Sequence, residues 1–236
     1  MKVALICFDF GGTLLQNPFE GVMKYQINTF HSILKSHGYS MGREDIVYAW
    51  READSKIQYP FISHFFQERD IVMNMLERLS VKENKPLIVS ELLAAYRRGL
   101  MVVIKNDKSL ENVRGVLERL RDRGKQLAVL SSERTNALDA MVRWAGLDVY
   151  FSRVIATEGI GIDKPDPRVF WFMLKMLNRK KEEVVYVGDS YFYDVVPAKR
   201  FGMKVIWLKR KEEKADAKYR PDEVIKDLGE ITGIIE

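Results

Sequence analysis

Apolar runs of four to six residues, rich in β-branched side chains, stand at 3–8, 127–130, 184–187 and 205–208. Continuous rather than alternating hydrophobicity over such lengths predicts strands buried on both faces, the pattern of a parallel sheet. Between the later runs the apolar period changes. Leu110, Val113, Val116, Leu117 and Leu120 recur at helical spacing, and Gly124 is placed to end that helix, because glycine enters the left-handed conformation of a C-terminal cap without a Cβ penalty. Asp166 followed by Pro167 predicts the cap and first turn of a helix carrying Phe170, Met173 and Leu177. Strands alternating with helices predict an α/β fold with helices on both faces of the sheet.

The first strand breaks this rhythm. A crossover between parallel strands needs about a dozen residues, yet the next run of the same kind starts only at Leu127. The intervening pattern is helical: Val22, Met23, Ile27, Phe30, Ile33 and Leu34 form one stripe closed by Gly38, and 46–50, 61–79 and 87–96 repeat the period. A compact helical module accounts for this length better than a structureless loop. The predicted organisation is a core of residues 1–16 and 105–236 split by a helical insertion over 17–104. No internal repeat or low-complexity segment interrupts it.

Composition narrows the class. Of 236 residues 47% are hydrophobic and 30% charged, a globular balance rather than a disordered one. The net charge of +5 comes from basic residues interleaved with acids, as in the run 209–214, which predicts a solvated face and no nucleic-acid partner. Cys7 stands alone, so no internal disulfide or cysteine-based zinc site forms, and a reducing compartment is expected. One lysine precedes the apolar run 3–8, too little for a secretory signal, and no stretch reaches membrane-spanning length. These features predict a cytoplasmic protein with no membrane partner.

Ligands of an open parallel sheet sit beyond the carboxyl ends of its strands, so the polar residues that close the apolar runs carry the candidate chemistry. The first run closes as Asp9-Phe10-Gly11-Gly12-Thr13-Leu14, the second as Ser131-Ser132, and the third as Gly188-Asp189-Ser190 with Asp194 close behind. Between them a loop, 161–167, carries Lys164 just before a helix. Asp9, Asp189 and Asp194 at one edge would be a costly concentration of like charge without a cation, and magnesium is the natural one for carboxylate and carbonyl oxygens. Ser131, Lys164 and the amides of the turn after Asp9 would supply donors and positive charge to an anion. Together these groups point to phosphoryl transfer.

In content and order the four segments resemble the haloacid dehalogenase (HAD)-like hydrolase superfamily. The resemblance covers 2–15 and 108–236; the insertion is similar only in position and helicity. It implies a Rossmann-like core with an inserted α-helical cap that closes over the site on hinges near 15–18 and 105–108. It further implies Asp9 as the nucleophile that forms an aspartyl-phosphate, Lys164 and Ser131 as catalytic partners, and phosphoryl contacts from Gly12, Thr13, Ser131, Ser132 and Lys164. Mg2+ would be held by Asp9, the Gly11 carbonyl and Asp189, with Asp194 in support. The implied substrate is a small phosphorylated metabolite, acted on by a monomer or homodimer.

One position departs from the pattern. Phosphatases of this family carry an acid two residues after the nucleophile, where this chain has Gly11, and general acid–base help is typically worth about 10²- to 10⁴-fold in rate. A phosphatase with a good leaving group or a borrowed acid fits. So does a member of the dehalogenase or phosphonatase branch, the latter needing a cap lysine such as Lys24, Lys35 or Lys56, and so does a weakly active or non-catalytic binding protein. The intact Asp189 and Asp194 speak against a metal-independent dehalogenase. His31, His37 and His64, together with Arg51, Arg97 and Arg98, are expected to be solvated or packed residues of the insertion, and Arg134 a helix-start residue. Tyr191, Phe192 and Tyr193 either line the pocket mouth or pack locally.

Overall fold

The computed structural model describes residues 1–16, 19–55, 67–210 and 212–236. The chain divides into two units, Met1–Asn17 with Asp107–Glu236, and Pro18–Asn106. The first contains a six-stranded parallel sheet: β1 (Leu5–Phe8), β2 (Gln126–Ser131), β3 (Arg153–Ala156), β4 (Val184–Gly188), β5 (Lys204–Leu208) and β6 (Glu223–Ile225), in the order β3-β2-β1-β4-β5-β6. Every residue of β1 and β4 is buried, as expected for central strands covered on both faces. One face packs Leu5, Cys7, Leu130, Tyr186 and Val205 against Val169, Phe170 and Met173.

The sequence period alone misses β3 and β6. β3 opens on an exposed arginine and β6 spans three residues with two exposed, so neither forms the continuous apolar run that marks the other four.

The helices of the second unit are α1 (Phe19–Ser36), α2 (Arg43–Ser55), α3 (Gln67–Arg78) and α4 (Lys85–Lys105). Helix α1 packs mainly on α4, and α2 on α3. An aromatic column joins three of them, with Trp50 5.8 Å from Phe30 and 5.2 Å from Tyr96 between ring centroids. Gly38 ends α1 at φ +84°, and the Tyr39 amide donates to the Leu34 carbonyl at 3.0 Å, the bonding of a glycine-terminated helix. The early part of the predicted helix over 61–79, together with Lys56, His64 and the hinge residues Asn17 and Pro18, lies outside the described residues.

The sheet unit continues with α5 (Ser109–Asp122), α6 (Thr135–Trp144), α7 (Arg168–Leu177), α8 (Val196–Phe201) and α9 (Ile231–Ile234). The predicted stripe of α5, from Leu110 to Leu120, is buried, and Gly124 follows at φ +75°. Pro167, not Asp166, stands at the N-cap of α7, and Asp166 accepts from the Arg168 amide at 2.9 Å one residue before it. No helix among the described residues is long and apolar enough to cross a membrane.

Candidate active site

Register places the candidate residues. Phe8 pairs with Val129 on β2 and with Val187 on β4, so Asp9, Ser131 and Asp189 leave the sheet at one edge. The strand order runs outward from β1 to β2 and β3, then resumes at β4 on the other side of β1. Asp9 and Asp189 therefore stand at the switch point, where α/β sheets open a crevice. The Asp9 amide donates to the Val187 carbonyl at 2.8 Å, which extends the ladder and fixes where the carboxylate begins.

Lys164 reaches into this edge from the loop before α7. Its Nζ donates to Asp9 Oδ1 and to Asp194 Oδ1, both at 2.7 Å, and to the Tyr186 hydroxyl at 3.2 Å. All three charged groups are buried, at 5% exposure for Asp9, 4% for Lys164 and 1% for Asp194. A buried triad of this kind holds only with dense hydrogen bonding. Tyr186 supplies part of it, its hydroxyl lying 3.1 Å from Asp194 Oδ1 and 3.3 Å from the Leu130 carbonyl. The Ser190 amide donates to Asp194 Oδ2 at 3.0 Å.

Charge follows from this packing. Burial pushes the Asp9 carboxyl up to about 7 against the pull of Lys164, and repulsion from Asp194 and Asp189 adds to the rise. Burial pushes Asp189 up to about 6, with Asp194 acting in the same sense. At Lys164 burial works against the charge, but Asp194 and Asp9 overcome it and hold the ammonium above the usual lysine range. Burial also raises Tyr186 well above an ordinary phenol.

The turn after Asp9 is shaped by contact with Asp189. Gly12 has φ +77°, and a Cβ there would fall 2.2 Å from Asp189 Oδ2. Gly188 is equally constrained, since its Cβ would fall 2.3 Å from Asp194 Cγ. The Thr13 hydroxyl donates to Asp189 Oδ1 at 3.3 Å, and Trp207 Nε1 donates to the Asp189 carbonyl at 2.9 Å. Arg210 donates to the carbonyls of both Gly12 and Thr13, the latter at 3.2 Å. Gly11 differs from its neighbours: a Cβ there meets nothing within 4 Å.

Ser131 ends β2 as a buried residue, and its hydroxyl makes no hydrogen bond to the acid–lysine cluster. Ser132 instead donates to Asp163 Oδ1 at 2.5 Å, and the same oxygen accepts from the Lys164 amide at 2.8 Å, which ties the end of β2 to the lysine loop. Tyr191 is buried against Trp207, with its hydroxyl donating to the Asp216 carbonyl at 2.7 Å, and so packs locally. Phe192 is exposed. In the helical unit His37 pairs with Glu91 at 3.0 Å and Arg97 with Glu68 at 3.1 Å, while Lys24, Lys35, Arg51 and Arg98 are exposed.

Two supporting residues escape sequence reasoning. Tyr186 sits inside an apolar strand, where the only signal is that a buried phenol needs a polar partner. Arg210 belongs to the charged run 209–214, expected to be a solvated face. Glu212 is exposed as expected, Lys211 lies outside the described residues, and Arg210 departs because its guanidinium turns onto the Gly12 and Thr13 carbonyls.

One oxygen from each of Asp9, Asp189 and Asp194 lies within 4.8 Å of the others. Burial first, and the neighbouring carboxylates after it, raise Asp9 and Asp189, and a divalent cation would offset the negative charge gathered there. Hard oxygen donors in this number suit Mg2+ better than a soft metal, so the residues present fit such an ion.

The parallel α/β core thus gathers carboxylates and a lysine at its switch point. Residues 6–208 match the haloacid dehalogenase-like hydrolases, and the chain belongs to that family. It is 27% identical over 165 residues to the glyceraldehyde 3-phosphate phosphatase of Pyrococcus furiosus, covering 69% of this chain and 67% of the relative. It is 30% identical over 131 residues to (S)-2-haloacid dehalogenase 2 of a Pseudomonas species, covering 55% of this chain and 57% of the relative. Among solved structures, the HAD-hydrolase YfnB of Bacillus subtilis, bound to magnesium, superposes with a TM-score of 0.70 at 14% identity over 99% of both chains, a likeness of fold.

Proposed function

We propose that this hydrolase is a magnesium-dependent phosphatase of small phosphate monoesters that works through an aspartyl-phosphate on Asp9. The observation that carries the reading is the Lys164 ammonium at 2.7 Å from Asp9 Oδ1, with Asp189 alongside at the sheet's switch point. Asp9 attacks phosphorus, with Lys164 holding its carboxylate and offsetting negative charge as the phosphoryl group approaches. Ser131 and the backbone amides of Thr13 and Ser132 supply donors to the phosphoryl oxygens, whereas the Gly12 amide, expected to join them, is held by the Leu15 carbonyl at 2.8 Å. Asp9, Asp189 and the Gly11 carbonyl would hold Mg2+, with Asp194 in support through its grip on Lys164; when bound, the ion would supply positive charge that offsets the negative charge of phosphoryl transfer. The helical unit selects the substrate, and the protein acts as a monomer or homodimer in the cytoplasm, without a nucleic-acid partner.

Hydrolysis of a chromogenic aryl phosphate, measured with Mg2+ and with a chelator, tests the reading. Turnover that needs the metal and disappears in Asp9→Asn supports it. The dehalogenase alternative is kept in view by Gly11 and by the Pseudomonas relative. Release of chloride from 2-chloropropionate in chelator, with no phosphate released from any ester, would establish it instead.

A further inference from the structure

Proton supply separates easy phosphoryl leaving groups from hard ones. An alkoxide, about as basic as hydroxide with a conjugate acid near 16, must be protonated as it departs, whereas a carboxylate or phosphate leaves as a stable anion. Lys164, Tyr186 and Asp163, which stand at this edge of the sheet, are engaged in other bonds. Lys164 is clasped between Asp9 and Asp194 at 2.7 Å, and losing its proton would leave two buried carboxylates facing each other. The Tyr186 hydroxyl is buried and turned onto Lys164, Asp194 and the Leu130 carbonyl. Asp163 accepts from Ser132 and from the Lys164 amide. Beside the nucleophile Gly11 carries no side chain, and the space its Cβ would enter is open to 4 Å.

Building on the phosphatase reading, we propose that this site acts on phosphoryl groups whose leaving oxygen departs as a stable anion without being protonated, the chemistry shared by acyl phosphates, phosphoanhydrides and aryl phosphates. In the first step the bond from Asp9 to phosphorus forms as the bond to the leaving oxygen breaks, and that oxygen keeps the electron pair. In the second, water attacks phosphorus, the Asp9–phosphorus bond breaks, Asp9 returns as carboxylate, and both water protons leave on dihydrogen phosphate. Neither step needs an acid at position 11.

The test is kcat/KM with Mg2+ for a series of aryl phosphates of graded leaving-group basicity, with acetyl phosphate, pyrophosphate and glycerol 3-phosphate as further arms. Wild type should lose rate steeply along the series and hydrolyse glycerol 3-phosphate at least about 10²-fold more slowly than the best anhydride, the scale of general acid catalysis. The acetyl phosphate and pyrophosphate arms tell which source supplies the shared chemistry. Gly11→Asp, which meets no neighbour at its Cβ, should flatten the slope and raise the alkyl ester selectively, while Gly11→Asn should not. A flat wild-type series, with the alkyl ester keeping pace, overturns the inference and leaves the phosphatase reading standing. Absence of hydrolysis for every member overturns both. The wild-type slope decides even if neither variant folds.

Discussion

Lys164 is buried between Asp9 and Asp194, and its two 2.7 Å contacts make it a structural member of the fold as well as a candidate catalytic group. Removing one partner of such a cluster strands the remaining charges, so Lys164→Met should cost about 3–5 kcal/mol in metal-free denaturant unfolding, in addition to lost turnover. An unchanged midpoint would mean that the carboxylates do not depend on the ammonium. Asp9 and Asp189 stand at about 7 and about 6, above their ordinary 3.8. Through this window the metal-free native state keeps protons that the unfolded chain has released, so stability falls as pH rises from about 4 to 7. Mg2+ competes with the same protons, and its apparent affinity should therefore climb between about pH 5 and 7. Calorimetric titration at pH 6 in two buffers of different ionisation enthalpy should show proton release on binding; ordinary carboxylates would release none.

The strand ends and the turns that follow them bring these residues together, and two glycines set how closely. Gly188→Ala would drive a methyl group into Asp194, and Gly12→Ala would do the same to Asp189 while holding an L side chain at φ +77°. Each should cost about 1–3 kcal/mol, the range for overpacking a tight site, and weaken Mg2+ binding in the same titration. Normal affinity in both variants would place the cation elsewhere. Much of this level is legible in the sequence, because β1, β2, β4 and β5 are continuous apolar runs and Asp9, Ser131 and Asp189 are the polar residues that close or follow three of them. What stays hidden depends on partners distant in the chain. β3 and β6 lack a full apolar run, Tyr186 looks like one more core residue until Lys164 is seen against its hydroxyl, and Arg210 looks like solvated charge until it meets the Gly12 and Thr13 carbonyls. The Lys164 bond to Asp194 is likewise unreadable from spacing, since it joins a loop to a π-helical turn at Tyr191–Val195.

For the molecule as a whole, a ligand that binds only the native state stabilises it by mass action, by about 2.7 kcal/mol at a hundredfold excess over Kd. Mg2+ should raise the thermal midpoint of the wild type on this scale and leave Asp189→Asn nearly unmoved; equal shifts would assign the effect to other sites. The function proposed for this molecule turns on one chemical event, transfer of a phosphoryl group to Asp9. The most direct measurement traps that event: acid quench during turnover of acetyl phosphate with Mg2+, reduction of the acyl phosphate, and mass spectrometry of the peptide containing Asp9. An aspartyl-phosphate intermediate predicts modification at Asp9, present in the wild type and absent in Asp9→Asn. Turnover with Asp9 unmodified, or with the phosphoryl group captured on another residue, would contradict it.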